Sequence, residues 1–225
     1  MSTTPDPALR PSAPTDGWVV LVPVKPPARG KSRLVGLDDD NRRALASAFA
    51  LDTVAVCLAT PGVAQVLVVT DDAGFASSLL ALGAACIPDG DSGDLNATLR
   101  QAAAEAERRW PTLRPVALCA DLPTLSPDDL ADGLVALGVA TGETGAFVPD
   151  AAGVGTTAYA AAYDRFEPRY GGASRRAHLD AGCSEVAHAP ATMRRDVDDL
   201  VDLQAATALG LGPRTATVVA GLGML

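Results

Sequence analysis

Lysine is almost absent from this chain, histidine equally so, and aromatic residues make up only 4% of it. Each scarcity excludes something. His178 and His188 are the only histidines, and Cys57, Cys86, Cys119 and Cys183 form no C-x-x-C pair. A Cys/His zinc site therefore has almost no ligands to draw on. Buried free thiols are expected, since disulfide frameworks belong to shorter secreted chains. Positive charge is short overall: 18 basic against 27 acidic side chains, a net −9. Nucleic-acid coats and membrane-surface proteins need a basic stripe, so neither class fits. No apolar run reaches the roughly 18 residues of a membrane span. Residues 1–16 hold Pro5, Pro7, Pro11 and Pro14 and no apolar h-region. They read as a disordered tail rather than a signal peptide, and the chain reads as cytoplasmic.

What is present is core-forming material. Hydrophobic residues make up 48% of the 225, and with few aromatics the core must come from Ala, Val and Leu. That length fits one domain, residues 17–225. Residues 18–24 are continuously apolar and rich in valine, the pattern of a strand buried on both faces. Asp38, Asp39 and Asp40 open a helical pattern running to about 59, with acids at the favourable N-terminal end. Strands are expected at 63–70, 84–88 and 115–120, with a short helix between the first two and a helix over 94–109. Asp71 and Asp72 read as a solvated helix start. Ser126-Pro127-Asp128-Asp129 is a helix start with a Ser cap and Pro in the first position, and that helix runs to about 137. Strands are then expected at 145–149 and 156–162, a helix at 174–181, a short strand at 186–189, a helix at 199–209 and a last short helix. The apolar C-terminus, 218–225, is read as covering a sheet edge or a neighbouring subunit.

Strands alternating with helices predict an α/β fold: a Rossmann-like, mostly parallel sheet with helices on both faces. Ligands of such sheets bind beyond the carboxyl ends of the strands. Lys25, the Asp71–Asp72 pair and Asp121 fall there. A cation and several carboxylates at one edge point to phosphate and metal.

Two phosphate fingerprints fail on inspection. Gly30-Lys31-Ser32 resembles the end of a P-loop, but that motif needs glycine where Lys25 stands. Gly153-Val154-Gly155-Thr156-Thr157-Ala158 spells G-x-G-x-x-A, yet it precedes a strand instead of opening a helix; it reads as a turn. What remains is Lys25, Arg29, Lys31 and Arg33, four cations in nine residues directly after the first strand. Both lysines of the chain are among them. Lysine supplies a mobile point charge and arginine a planar fork, a mixture suited to polyphosphate.

Taken in order, Val22-Pro-Val-Lys25-Pro, Lys31-Ser-Arg33-Leu, Asp94-Leu-Asn96, Asp121-Leu-Pro and Asp196-Val-Asp198 resemble the CofC/FbiD family, the guanylyltransferases of coenzyme F-420 biosynthesis. The resemblance spans about 19–212. It implies a glycosyltransferase-A-like Rossmann fold. It also implies attack by a phosphorylated three-carbon acid on the α-phosphate of GTP, with release of pyrophosphate. The acid is phosphoenolpyruvate in actinobacterial members, giving enolpyruvoyl-2-diphospho-5'-guanosine, and 2-phospho-L-lactate in archaeal ones. An alanine- and arginine-rich composition favours the former. The resemblance also implies hand-over of the labile product to the next pathway enzyme.

The residues divide accordingly. Lys25, Lys31 and Arg33 would hold the triphosphate and offset charge on the leaving pyrophosphate. Asp121, Asp196 and Asp198 would hold Mg²⁺, which needs only one or two carboxylates besides phosphates and waters. Residues i and i+2 of an extended segment share a side, so Asp196 and Asp198 can face one ion; alternatively Asp198 caps the following helix. Thr156, Gly171 and Ser174 match the positions that hold phosphoenolpyruvate in the family. Ser174 either caps a helix or joins an anion site there, with Arg175 and Arg176 adding charge. Asn96 is the candidate for nucleotide base or ribose.

Other acceptors, such as 2-phospho-L-lactate or 3-phosphoglycerate, suit the same chemistry. A molybdenum-cofactor guanylyltransferase would carry a glycine-rich first loop, which is not found here. A non-catalytic regulatory nucleotide-binding domain would be expected to lack one of Lys25, Asp121 and Asp196. Nothing in the sequence specifies an oligomeric state.

Overall fold

A computed structural model of the chain describes residues 17–24, 34, 36–90 and 93–224. The tail reading of 1–16 and the phosphate-binding readings of Lys25, Lys31 and Arg33 lie outside the described residues.

The first strand, β1 (Trp18–Pro23), is an interior strand, third in order, of a seven-stranded sheet. Its alternation serves two faces at once. Trp18, Val20 and Val22 enter one apolar cluster, Val19 and Leu21 the other, as the period of two requires. β2 (Val63–Val69) and β4 (Arg114–Leu118) flank it in parallel, and β3 (Ala85–Ile87) extends the sheet beyond β2. On the other side β6 (Thr156–Ala160) lies beside β4, then β5 (Ala146–Pro149), then β7 (Ser184–Glu185). β6 runs antiparallel to both its neighbours, while β7 is parallel to β5. That reversal puts the beginning of β6 at the edge where β4 and β5 end.

The helices begin where the capping chemistry predicts. Asp38 accepts the Asn41 N–H at the start of α1 (Asp39–Ala59), and Asp72 that of Phe75 at the start of α2 (Ala73–Leu82). Asp94 accepts the Asn96 N–H at α3 (Leu95–Arg109), and Ser126 that of Asp129 at α4 (Pro127–Ala140). The later part departs more from expectation. The strand expected at 186–189 lies at 184–185, and only the Val186 N–H continues the ladder, to the Phe147 carbonyl. A 3-10 turn (Tyr163–Arg165) and the four-residue α6 (Ala191–Arg194) are elements too short for periodicity to reveal.

The C-terminal segment corrects the first of its two expected readings, the sheet edge. α7 (Leu200–Leu209) and α8 (Pro213–Gly221) do not cover a sheet edge. With α1 they enclose a third apolar cluster of Leu34, Leu45, Phe49, Val197, Leu203, Ala206 and Val219. α8 has glycine at its N-cap and no cap of its own. Asp52 of α1, 3% exposed, supplies one from a distance. Its carboxylate accepts the Arg214 N–H (3.2 Å) and the Thr215 N–H (2.8 Å), and the Arg214 guanidinium lies 3.3 Å away. Gly212 fits because a Cβ there would fall 2.6 Å from the Asp52 carboxyl carbon.

Asp52→Ala leaves these N–H groups buried without an acceptor, a loss of about 2 kcal/mol. At this chain length the melting temperature should drop by roughly 4–8 °C, read by circular dichroism. An unchanged melting temperature would show that α8 is held by its apolar face alone.

Candidate active site

Four segments converge at the carboxyl edge of β1, β4 and β5. Asp121 follows β4 after Cys119 and Ala120, and the Cys119 N–H donates to the Thr157 carbonyl (2.8 Å), zipping this end of β4 to the start of β6. Asp150 follows β5. Its carboxylate accepts the Val154 and Gly155 N–H groups at 2.8 and 2.7 Å, and its own N–H donates to the Gly155 carbonyl. This closes the β5–β6 hairpin directly before Thr156. A Cβ at Gly155 would sit 2.4 Å from that carboxylate, so the position has room only for glycine. The G-x-G-x-x-A run is thus a hairpin turn, as its context indicated.

The fourth segment is 195–198. Val197 is fully buried in the third cluster, and its N–H donates to the Asp121 carbonyl at 3.1 Å. One apolar anchor and one backbone bond therefore bring Asp196 beside Asp121, with Asp198 following on the same segment. Asp198 does not cap the following helix. Asp199 does, accepting the Val201 and Asp202 N–H groups in a capping box with Asp202. Arg194 braces the neighbouring turn through the Pro149, Asp150 and Ala187 carbonyls.

The electrostatics follow from the crowding. Burial, and then the charges of Asp121, Asp198 and Asp150, push the Asp196 carboxyl up to about 7. Asp150 is the member of this group that the sequence did not reveal; its signal was the strand end before a G-x-G turn. Yet among the described residues no three of His, Cys, Asp and Glu stand close enough to cage an ion by themselves. The two facts are compatible. The acids are near enough to repel one another but form no all-protein cage. Such a donor set fits a magnesium-type ion that takes one or two carboxylates and completes its shell with substrate phosphates and water.

Beside the acids lies a second, less charged cradle. Thr156 and Ser174 are buried, 6% and 2% exposed, while Gly171 is open to solvent. Ser174 is the first residue of α5 (Ser174–Asp180); Ala173 holds the N-cap position, so Ser174 is not the cap. Arg175 and Arg176 do not lend free charge here. Arg175 is spent on Glu185 (2.8 Å) and the Gly153 carbonyl, Arg176 on Asp180 (2.8 Å). Asn96 likewise has a structural task. Its amide oxygen accepts the Tyr170 N–H (2.7 Å) and its amide nitrogen donates to the Tyr170 carbonyl (2.9 Å), which holds the chain just before Gly171.

His178, passed over in the sequence as one of two scattered histidines, lies at the centre of this cradle. It is fully buried and stacked between Phe147 and Tyr159, with centroids at 5.1 and 4.9 Å. Burial pushes the imidazole down to about 4, so it is neutral.

The fold matches solved nucleotidyltransferases. A putative nucleotide-diphospho-sugar transferase from Desulfovibrio desulfuricans G20 superposes with a TM-score of 0.67 at 18% identity, covering 92% of this chain and 95% of that one. 4-Diphosphocytidyl-2C-methyl-D-erythritol synthase superposes with a TM-score of 0.57 at 14% identity, covering 86% and 98%. Such likeness shows the fold alone: a mixed, mostly parallel α/β sheet shared with these proteins.

Sequence narrows it. The family described as "Guanylyl transferase CofC like" matches residues 18–190, and the chain belongs to it. A protein of Streptomyces coelicolor named phosphoenolpyruvate guanylyltransferase is 48% identical over 208 residues, covering 91% of this chain and 97% of the relative. One of the same name from Thermomonospora curvata is 45% identical over 205 residues, covering 90% and 89%.

The raised Asp196 carboxyl has a measurable consequence. Its folded-state value, about 7, exceeds the ordinary 3.8. The folded form therefore binds more protons between these limits and loses stability as pH rises through that window. Asp196→Asn mimics the protonated form. Its stabilising effect on the metal-free protein should grow by about 2 kcal/mol from pH 5 to 7.5, read by urea unfolding at both pH values. A pH-independent difference would contradict the crowding.

Proposed function

We propose that this chain joins phosphoenolpyruvate to the α-phosphate of GTP, releasing pyrophosphate and forming enolpyruvoyl-2-diphospho-5'-guanosine for coenzyme F-420 biosynthesis. The observation that carries this reading is the backbone bond from Val197 to Asp121. It holds Asp196 beside Asp121 where β4 and β5 end, next to the buried Thr156, in a chain of the guanylyltransferase family. The relatives' names supply the acid and, with the family, the nucleotide.

The chemistry asks little of a base. The attacking group is a phosphate oxygen whose second pKa is about 6, so it is ionised at neutral pH. It forms a bond to the α-phosphorus as the bond to the β-phosphate oxygen breaks. The obstacle is repulsion between anions, and catalysis reduces to holding them in line and screening their charge. Asp121, Asp196 and Asp198 would hold the ion. Magnesium, when bound, supplies the screening. A Mycobacterium tuberculosis protein of similar fold (TM-score 0.50, 21% identity, covering 84% of this chain and 97% of that one) has been solved in complex with manganese, so the fold is compatible with a divalent ion.

Lys25, Lys31 and Arg33, following β1 in sequence, are proposed to receive the triphosphate. Thr156, Gly171 and Ser174 are proposed to receive the acid. Asn96 would act on the nucleotide only through the donor and lone pair that Tyr170 leaves over. Among the described residues no helix is long and apolar enough to cross a membrane.

Pyrophosphate release from GTP with Mg²⁺ should occur with phosphoenolpyruvate and fall at least tenfold with 2-phospho-L-lactate or 3-phosphoglycerate. Release with none of the acids would overturn the function. Preference for another acid would overturn the substrate alone. Asp121→Ala should lower kcat at least a hundredfold while the circular dichroism spectrum stays unchanged; near-normal turnover would remove Asp121 from the ion site.

A further inference from the structure

One buried side chain ties together all three parts of the proposed acid cradle. His178 Nε2 accepts the Arg169 N–H at 3.0 Å. A backbone N–H can only donate, so Nε2 carries no proton, and the neutral ring must carry its proton on Nδ1. Nδ1 lies 2.9 Å from the Ser174 carbonyl and 3.1 Å from the Thr156 hydroxyl oxygen. Its single proton is shared between these two acceptors.

The consequence falls on Thr156. Its oxygen receives from the ring and so cannot give its own proton back. Among the described residues His178 is the only hydrogen-bond partner of that hydroxyl. The hydroxyl proton is thus reserved for an acceptor from outside, such as an anionic oxygen. Meanwhile the Nε2 bond fixes Arg169, and Asn96 fixes Tyr170 next to it, which sets the approach to Gly171. The Ser174 carbonyl is fixed by the Nδ1 bond. The aromatic stack of Phe147 and Tyr159, with Tyr170 edge-on at 5.8 Å, leaves the ring little freedom to turn.

We propose that His178, as its Nδ1–H tautomer, is the positioning residue of the acceptor-acid site: it commits the Thr156 hydroxyl to donate to the acid and sets the backbone at Gly171 and Ser174. The inference rests on the reading that Thr156, Gly171 and Ser174 receive the acid.

Two conservative substitutions divide the ring's functions. Asparagine places its amide nitrogen near the Nδ1 position and keeps the donor to Thr156 and Ser174. Glutamine reaches the Nε2 position and keeps the acceptor for Arg169 but loses that donor. In pyrophosphate-release kinetics, His178→Gln should raise KM for phosphoenolpyruvate at least tenfold and leave KM for GTP within about twofold. His178→Asn should hold KM for phosphoenolpyruvate within about threefold of wild type. A merely structural histidine would lower the melting temperature in both variants without separating the two KM values, and that pattern overturns the inference. If wild-type protein releases no pyrophosphate, the functional reading falls and takes this one with it. If wild type is active but His178→Gln has an unchanged KM for phosphoenolpyruvate, this inference falls alone. Should the variants not fold, long-range ¹H–¹⁵N correlation spectra of the wild-type histidines give the answer. An Nδ1–H pattern for His178 whose shifts move on adding phosphoenolpyruvate is expected. An Nε2–H pattern, or no movement, overturns the proposal.

Discussion

The site depends on a single backbone hydrogen bond that holds like charges together. The Val197 N–H meets the Asp121 carbonyl at 3.1 Å, and on either side stand carboxylates that would separate if the chain were free. Two apolar bodies prevent that. Val197 is locked into the cluster between α1, α7 and α8, and the strand before Asp121 is locked into the sheet core. The cost of the crowding is visible in Asp196, whose carboxyl is displaced to about 7. Folding energy drawn from apolar burial is stored as electrostatic strain where a cation would relieve it, the usual arrangement at sites built to bind charge.

The reversal of β6 complements this arrangement. An all-parallel continuation would start that strand at the far edge of the sheet and remove Thr156 from the acids. Antiparallel pairing with both β4 and β5 returns its first residue to the active edge. The Asp150 hairpin makes the return tight. His178 then joins that residue to α5 and to the chain before Gly171. On the proposed reading the two substrates would meet different materials: an ionic side for the nucleotide, and for the acid a side of neutral donors shaped by a buried imidazole. That division suits a reaction in which both partners are anions and only one of them brings a triphosphate.

Much of the architecture is legible in the sequence, because the early strands are continuous apolar runs and the helices announce themselves with Asp or Ser caps. The parallel half of the sheet and α1 to α4 follow from those signals within a few residues. Legibility falls after residue 150. There the elements are short, β6 reverses direction, and α8 takes its cap from Asp52, which is 160 positions upstream of Gly212. No local pattern encodes such a partner.

The site divides in the same way. Asp121 stands out by its strand-end position, while Asp196 and Asp198 are picked out by the family resemblance, the i, i+2 spacing adding only that both can face one side. Asp150 carries a local signal too, a strand end before a G-x-G turn, whereas His178 acts through Arg169 and Thr156, partners that no local pattern announces. Arg175, Arg176 and Asn96 read as available for ligands in the sequence, yet the fold commits Arg175 and Arg176 to ion pairs and much of Asn96 to Tyr170.

The acids gathered around Asp121 are proposed to form the ion site for the nucleotide. Manganese can stand in for magnesium and scatters anomalously. A crystal of the protein grown with Mn²⁺ and GTP should show one strong anomalous peak within coordination distance of the Asp121 carboxylate and of at least one of Asp196 and Asp198, in contact with the triphosphate. A peak elsewhere on the sheet edge, or nucleotide bound with no ion near Asp121, would contradict it.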